Sequence, residues 1–435
     1  MRILATADIH IGRRSTRLPP DADARTTSSA AAWSSIVDLA VAQQVDVVAI
    51  AGDLVDHDNR FYEALGPLER GLRRLAERGI DVVAVAGNHD YDVLPSLARS
   101  LPEGCLTLVG SGGRWERVTL RRGDRRLHVD GWSFPTRHVR ENPLASRDLP
   151  PPPDGTPVLG MLHADLDSAG SSYAPVSLGS LHATPATFWL LGHVHCSAFF
   201  EREGLPGVLY PGSPNPMDPG EPGEHGVWML ELAAGQVPVR TFVPLARVRY
   251  EMMDVDITDV STDDLRQRLV QSMRARAAEL VAPPLEHLSF RLRLTGRTPL
   301  HRSIDAAVAR LATDLQFDVN GAAIHVDRVE CDTRPVRDMA SLASGADAAA
   351  WLAGLITLLD APDAQGTTNG THDRRDFDAL IGQLGSVART VRTARGMDAL
   401  PDSHEHIPDE RLRLDLRRGA ELLLDELLAQ KEGAV

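Results

Sequence analysis

Five short polar blocks each stand directly after an apolar run: Asp8-Ile9-His10, Gly52-Asp53, Gly87-Asn88-His89-Asp90, Leu162-His163-Ala164-Asp165 and Gly192-His193-Val194-His195. Together they offer carboxylates, an amide and imidazoles, with no thiolate. Nitrogen and oxygen donors of this kind suit divalent ions such as Mn²⁺, with Fe²⁺ and Zn²⁺ also compatible and Ca²⁺ a poor match. The candidate ligands Asp8, His10, Asp53, Asn88, His163, His193 and His195 are too many for one ion. They suit two ions about 4 Å apart that share a carboxylate. Asp53 is the natural bridge, because a carboxylate has two oxygens to give. In Asp8/His10 and in His193/His195 the i, i+2 spacing sends both side chains to one side of an extended segment, where such a pair can grip one ion. Gly52, Gly87 and Gly192 stand just before the ligands and permit sharp turns at the strand ends. Arg13, Arg14 and Arg17 follow the first block and are candidates for holding phosphates.

These blocks need elements that bring them together. RILATA, VDVVAIAG and IDVVAVAG are short β-branched runs of the kind found in buried strands. Residues 28–44 and 60–78 between them read as helices, the second with Leu65, Leu68, Leu72 and Leu75 at helical spacing. That is a βαβαβ unit with right-handed crossovers. After Cys105, the runs LTLVG, WERVTL, RLHVDGWSF, VLGMLHAD, FWLLGHVH, GVLYPGS, GVWMLEL and VPVRTFVPL read as strands of a second, mixed sheet packed on the first. Ligands of an open α/β sheet gather at the C-terminal ends of its strands, so the five blocks converge on one cleft. Residues 246–337 read as a compact α+β unit, and helices are expected over 338–359, 374–395 and 409–431.

The chain has 435 residues, 43% hydrophobic and 24% charged, a globular composition sufficient for two or three domains. No apolar run approaches the ~20 residues that span a bilayer, so no membrane partner is expected. Asp8 and His10 break the N-terminal apolar stretch too early for a signal peptide. Cys105, Cys196 and Cys331 lie far apart with no CxxC, which fits a reducing, cytoplasmic location. Cys196, next to His195, is expected to point into the core by strand alternation. The formal net charge of −14 argues against an autonomous, non-specific nucleic-acid binder. Residues 246–337 are the exception, with acidic and basic residues in balance.

In this order, the five blocks resemble the calcineurin-like metallophosphoesterases over the first ~245 residues. The DIHIG opening, the GDLVD block, Ser172-Tyr173-Ala174-Pro175 and Tyr210-Pro211-Gly212-Ser213-Pro214 are similar to the DNA repair exonucleases of the SbcD/YhaO type. Those are the bacterial relatives of the eukaryotic and archaeal double-strand-break repair nuclease. The resemblance implies an α/β fold: a two-sheet, four-layer α/β/β/α sandwich over 1–245, a small α+β capping domain that faces DNA over 246–337, and a helical tail over 338–435. It implies Mn²⁺-dependent hydrolysis of DNA phosphodiesters by hydroxide activated between two ions. Asp8, His10, Asp53 and His195 would hold the first ion, and Asp53, Asn88, His163 and His193 the second. His89 would act at the scissile phosphate as general acid or charge stabiliser, oriented by Asp90. One departure stands out. Three residues after the bridging Asp, where the eukaryotic and archaeal branch has a catalytic His, this chain has Asp56, followed by His57. Either residue is then a candidate for placing the DNA end.

As partners the resemblance implies DNA and an SMC-like coiled-coil ATPase gripped by the tail, and it admits a homodimer. In the last helix, Leu412, Leu416, Ala420, Leu423 and Leu427 form an apolar stripe that Leu422, Leu424 and Leu428 widen. The stripe either packs on the chain's own tail or holds the ATPase, and the second reading is preferred. Two other functions compete with the nuclease. A two-metal phosphodiesterase or phosphatase acting on small nucleotides or phosphoproteins would use the same core, but has no need of ~190 further residues. A non-catalytic scaffold has no need of a complete ligand set.

Overall fold

The structure, a computed structural model, describes residues 1–13, 15, 17–56, 62–311, 315–360, 382–383, 386 and 409–433. The chain begins β1 (Arg2–Thr6), α1 (Ser29–Ala42), β2 (Val47–Ala51), α2 (Tyr62–Glu77), β3 (Asp81–Val85), α3 (Val93–Ser100) and β4 (Thr107–Leu108). It continues with β5 (Glu116–Arg122), β6 (Arg125–Gly131), β7 (Val158–His163), α4 (Leu178–His182), β8 (Phe188–Gly192), β9 (Ala198–Phe200), β10 (Gly207–Tyr210), β11 (Gly226–Glu231) and β12 (Val239–Pro244).

β1, β2 and β3 pair in parallel, as the β-branched runs separated by helices predict. Ser28 caps α1 by accepting a hydrogen bond from the Ala31 amide. On α2, Leu68, Leu72 and Leu75 are fully buried and pack with Trp33 of α1 on the outer face of the sheet. The indole of Trp33 lies so close to α2 that a Cβ at Gly71 would sit 2.3 Å from its Nε1.

The first sheet has six strands in the order β12-β11-β1-β2-β3-β4. This corrects the expectation that every apolar run after Cys105 joins the second sheet. LTLVG, GVWMLEL and VPVRTFVPL all belong to the first, with β11 antiparallel to β1 and β12 antiparallel to β11. The physical reason lies in β1. Ile3 and Leu4 are both fully buried although they point to opposite faces, so β1 is a central strand and needs a partner on each side.

The second sheet runs β5-β6-β7-β8-β10-β9, parallel from β6 through β10. The two sheets face one another across a core in which Ile3, Ala5, Val47 and Val85 meet Val129, Met161, Leu190 and Leu209. Outside the second sheet, Trp132, Phe134, Trp189 and Leu191 pack with Leu181 of the short α4. The result is the expected α/β/β/α sandwich, with its fourth layer reduced to one five-residue helix and loops.

The remaining elements are β13 (Val248–Asp256), α5 (Thr262–Leu280), β14 (His287–Thr298), α6 (Ile304–Leu311), β15 (Phe317–Val319), β16 (Ala322–Pro335), α7 (Met339–Ala343), α8 (Ala348–Asp360) and α9 (Asp409–Gly433). The third sheet has the order β13-β14-β16-β15. One helix was expected over 338–359. It is instead two, because Asp338 caps the first and Asp347 caps the second by accepting from the Ala350 amide. The helix expected over 374–395 lies almost wholly outside the described residues.

The chain forms two compact units: residues 1–255, 266–294 and 306–331 in one, and 256–265, 295–305 and 332–435 in the other. Within the second, α9 lies on α8, with Ala420 and Leu424 buried against Leu352, Ala353, Leu355 and Ile356. Much of the α9 stripe is therefore covered by its own chain. Its centre also differs from expectation: Leu424, placed on the flank, is fully buried, while Leu423 is 58% exposed.

Candidate metal centre

All five polar blocks meet where the strands of both sheets end. β1 stops at Thr6, β2 at Ala51, β3 at Val85, β7 at His163 and β8 at Gly192. The loops after β1 and β2 then bond to each other, with amides of Asp8, His10 and Ile11 donating to carbonyls of Gly52, Asp53 and Leu54. This pairing bends the backbone. Asp8, His10 and Asp53 take φ values of 53°, 49° and 49°, a left-handed conformation that Asp and His adopt more readily than most residues. Asp8 and His10 are thus brought together by left-handed turns and not by the extended segment that their spacing suggested.

The glycines let these turns approach. A Cβ on Gly87 would lie 2.2 Å from Asp53 Oδ1, and one on Gly192 would lie 1.8 Å from the Ala51 carbonyl oxygen.

The donor atoms fall into adjoining groups. Asp8, His10 and His195 have ligand atoms within 4.8 Å of one another, and so do Asp8, Asp53 and His163. His10 Nε2 is 3.2 Å from His195 Nε2. His163 Nε2 lies 3.0 Å from Asn88 Oδ1 and 3.2 Å from Asp53 Oδ2. His193 Nδ1 lies 3.1 Å from the same Asn88 oxygen. His193 and His195 therefore turn to different groups, which corrects the expectation that their i, i+2 spacing makes them one grip. His193 has φ 97° directly after β8, and this swings the two imidazoles apart. Cys196, the residue after, is exposed and not in the core, for the same reason: the strand ends at Gly192 and alternation stops with it.

Each imidazole has an oxygen near its outer nitrogen. His163 Nδ1 is 3.0 Å from the Ala51 carbonyl, and His195 Nδ1 is 2.6 Å from Glu221 Oε1. His193 Nε2 faces Asp165 Oδ1 at 3.3 Å, and His10 Nδ1 faces Asp56 Oδ1 at 3.4 Å without hydrogen-bond alignment. An imidazole held by one nitrogen and pointing the other inward is the arrangement that presents a lone pair to a metal. Among the described residues, no arginine or lysine pairs with Asp8 or Asp53, although both carboxylates are buried. Burial alone would lower the His163 pKa. Asp53 and Asp8 outweigh it and push the imidazole up to about 9. The field at this point therefore favours positive charge, and the residues present fit divalent cations.

His89 stands beside this cluster with 27% of its side chain exposed. Its backbone amide donates to Asp53 Oδ1 at 2.9 Å. Its Nδ1 bonds Asp56 Oδ1 at 3.1 Å, and this bond raises its pKa. Burial acts to raise the Asp56 carboxyl, but His10 and His89 beside it hold it well below the usual range. Asp90, expected to orient His89, does something else. Its carboxylate is fully buried and accepts from the amides of Gly87, Leu54 and Val55, tying the turn after β3 to the loop after β2. The residue that orients His89 is Asp56. Arg13 is half-buried beside the first block, and its charge reaches His195. Arg14 and His57 lie outside the described residues.

Sequence reasoning missed Glu221. It stands 26 residues after His195 in a Pro- and Gly-rich loop, and no spacing marks it as part of the site. Asp165 was legible within its block but carried no role.

Residues 1–197 match the family model of the calcineurin-like phosphoesterases, and residues 250–334 match that of the middle domain of the metallophosphoesterase YhaO. An uncharacterized metallophosphoesterase YhaO of Bacillus subtilis is 27% identical over 69% of this chain and 72% of its own length. The SbcD component of the nuclease SbcCD of Rhodobacter capsulatus is 29% identical over 57% of this chain and 70% of its own. The DNA double-strand break repair protein Mre11 of Methanopyrus kandleri is 24% identical over 63% of this chain and 62% of its own. Among the described residues no helix is long and apolar enough to cross a membrane.

Proposed function

Because residues 1–197 belong to the calcineurin-like phosphoesterases, metal-dependent hydrolases of phosphate esters, we propose that this protein is a DNA nuclease of the SbcD/YhaO type that acts in DNA repair. The observation that carries the reading is the middle segment. Residues 250–334 match the model of the YhaO middle domain, and the similarity to the SbcD subunit of a nuclease and to the DNA repair protein Mre11 covers 57% and 63% of this chain, more than the 1–197 core. Asp8, His10, Asp53 and His195 hold the first ion and Asp53, Asn88, His163 and His193 the second, with Mn²⁺ the best fit to the donor set. Bound there, two such ions supply Lewis acidity towards a phosphodiester and a lowered pKa for water.

The chain's own residues do the rest. Asp53 spans the two groups of donors. Asp56 holds His89 by Nδ1, so that Nε2 is the atom turned to the leaving oxygen as a general acid. Arg13, with Arg14 and His57, contacts the DNA backbone. Residues 1–245 form the nuclease domain, 246–337 face the DNA and 338–435 bind an SMC-like ATPase in the cytoplasm.

The test is product analysis on an end-labelled duplex with metal-stripped protein, with and without Mn²⁺. Bis-p-nitrophenyl phosphate, cyclic nucleotides and a phosphoprotein serve as parallel substrates. Metal-dependent cleavage of the duplex is expected. Hydrolysis of the small or protein substrates with intact DNA would replace the nuclease by a small-substrate phosphodiesterase or phosphatase built on the same core.

A further inference from the structure

Resting on the dinuclear reading above, we propose that Glu221 is the positioning residue that makes His195 a ligand, and that it governs one of the two ions and not the other. Glu221 Oε1 lies 2.6 Å from His195 Nδ1. An imidazole that donates Nδ1–H to a carboxylate has only Nε2 left as a lone-pair donor. That Nε2 points at the first group of donors, 3.2 Å from His10 Nε2.

The second carboxylate oxygen has a separate task. Glu221 Oε2 accepts from the Met217 amide at 2.7 Å, and the Met217 carbonyl accepts from Ser15 Oγ at 3.0 Å. The Glu221 carbonyl faces His225 Nε2 at 3.1 Å. The side chain is only 15% exposed, so its rotamer is fixed by the loop that carries it. The same loop holds the main chain of His195. The Ser213 amide donates to the His195 carbonyl at 2.9 Å, and a Cβ on Gly212, at φ 76°, would meet that carbonyl at 2.7 Å. Backbone and ring of one ligand are therefore both set by residues 212–221. His193 escapes this control, since its outer nitrogen faces Asp165 and its inner one faces Asn88.

The experiment compares wild type, Glu221→Ala and Glu221→Gln as full-length, metal-stripped protein. Mn²⁺ titration calorimetry reads ion number and affinity. Long-range ¹H–¹⁵N spectra of the metal-free protein read the tautomer of His195. Wild type is expected to bind two ions and to hold His195 as the Nδ1–H tautomer. Glu221→Ala should bind one ion as wild type does and the other about 10–100-fold more weakly, the usual cost of removing an outer partner of a metal-bound His. It should also lose the tautomer preference. Glu221→Gln keeps an oxygen acceptor and should weaken the same single ion by less. If Glu221→Ala does not fold, the Gln variant decides alone. Weakening confined to one ion supports the proposal, and unchanged or equally weakened ions overturn it. Wild type binding fewer than two ions would overturn the dinuclear reading itself.

Discussion

Asp53 stands where the donor groups meet, with Oδ2 3.2 Å from His163 Nε2 and 3.8 Å from His10 Nε2. In the proposed assignment every other ligand serves one ion, Asp8 included, although its ligand atoms lie close to both groups of donors. Replacing Asp53 removes the shared one, so Asp53→Ala is expected to lose both ions and all hydrolysis while the sheets remain folded. Elemental analysis of gel-filtered protein checks this, and two retained ions would remove Asp53 from the bridge. His89 is different in kind, because its Nδ1 is engaged by Asp56 and its amide, not its ring, bonds Asp53. His89→Ala is expected to keep both ions and to lose ~10²- to 10⁴-fold in rate, the range for a general acid. Loss of an ion in that variant would make His89 a ligand. Asp56→Asn should slow the same step by no more than His89→Ala. Asp90→Asn should act through stability instead, because the Asp90 carboxylate accepts from the Gly87 and Leu54 amides while the His89 ring bonds Asp56.

Strand ends and the turns that follow them decide what was legible at the level of elements. The polar blocks could be read because each interrupts an apolar run, and an apolar run of five residues buried on both faces is a strong strand signal. The partner of a strand is not written in its own residues, so GVWMLEL gave no sign that it returns to β1. The turns were harder still. An i, i+2 pair looks alike whether the backbone is extended or left-handed, and here Asp8, His10 and His193 are all left-handed. The glycines were the usable clue, and Gly87 gives the cleanest test. Its Cβ would lie 2.2 Å from Asp53 Oδ1, so Gly87→Ala should displace the Asp53 carboxylate and weaken metal binding while circular dichroism stays that of wild type. Unchanged Mn²⁺ affinity would show that the turn can yield. On α9 the stripe was legible but its centre was not, since Leu423 and Leu424 are adjacent and the periodicity fits either. Leu424→Ala should cost about 2–5 kcal/mol in the unit that contains α8, whereas Leu423→Ala should cost little, measured by chemical denaturation.

At the scale of the whole chain, the proposed function requires a strongly acidic protein to engage DNA and a partner. The balanced charge of residues 246–337 would lower the electrostatic cost for that segment, and ions held by the metal centre would add positive charge where the proposed reaction places the scissile phosphate. For the partner, the structure changes which experiment is informative. Removing α9 would uncover Leu352, Leu355 and Ile356 of α8, so a truncated chain would lose solubility whether or not an ATPase binds there. The residues that remain available are those α9 does not bury: Leu414, Leu422 and Leu423, exposed by 52%, 54% and 58%. Trp351 on α8 is exposed by 44%. Burying a leucine is worth about 1.5–3 kcal/mol, so a few such side chains are enough to hold a coiled coil. Leu422→Glu combined with Leu423→Glu is therefore expected to leave the fold and the Mn²⁺-dependent hydrolysis of a small diester intact, because surface substitutions of this kind rarely move stability by more than about 0.5 kcal/mol each. The same variant should no longer co-purify with the SMC-like ATPase. Undiminished co-purification from a folded variant would show that the ATPase is gripped elsewhere, and that the exposed leucines of α9 are not its seat.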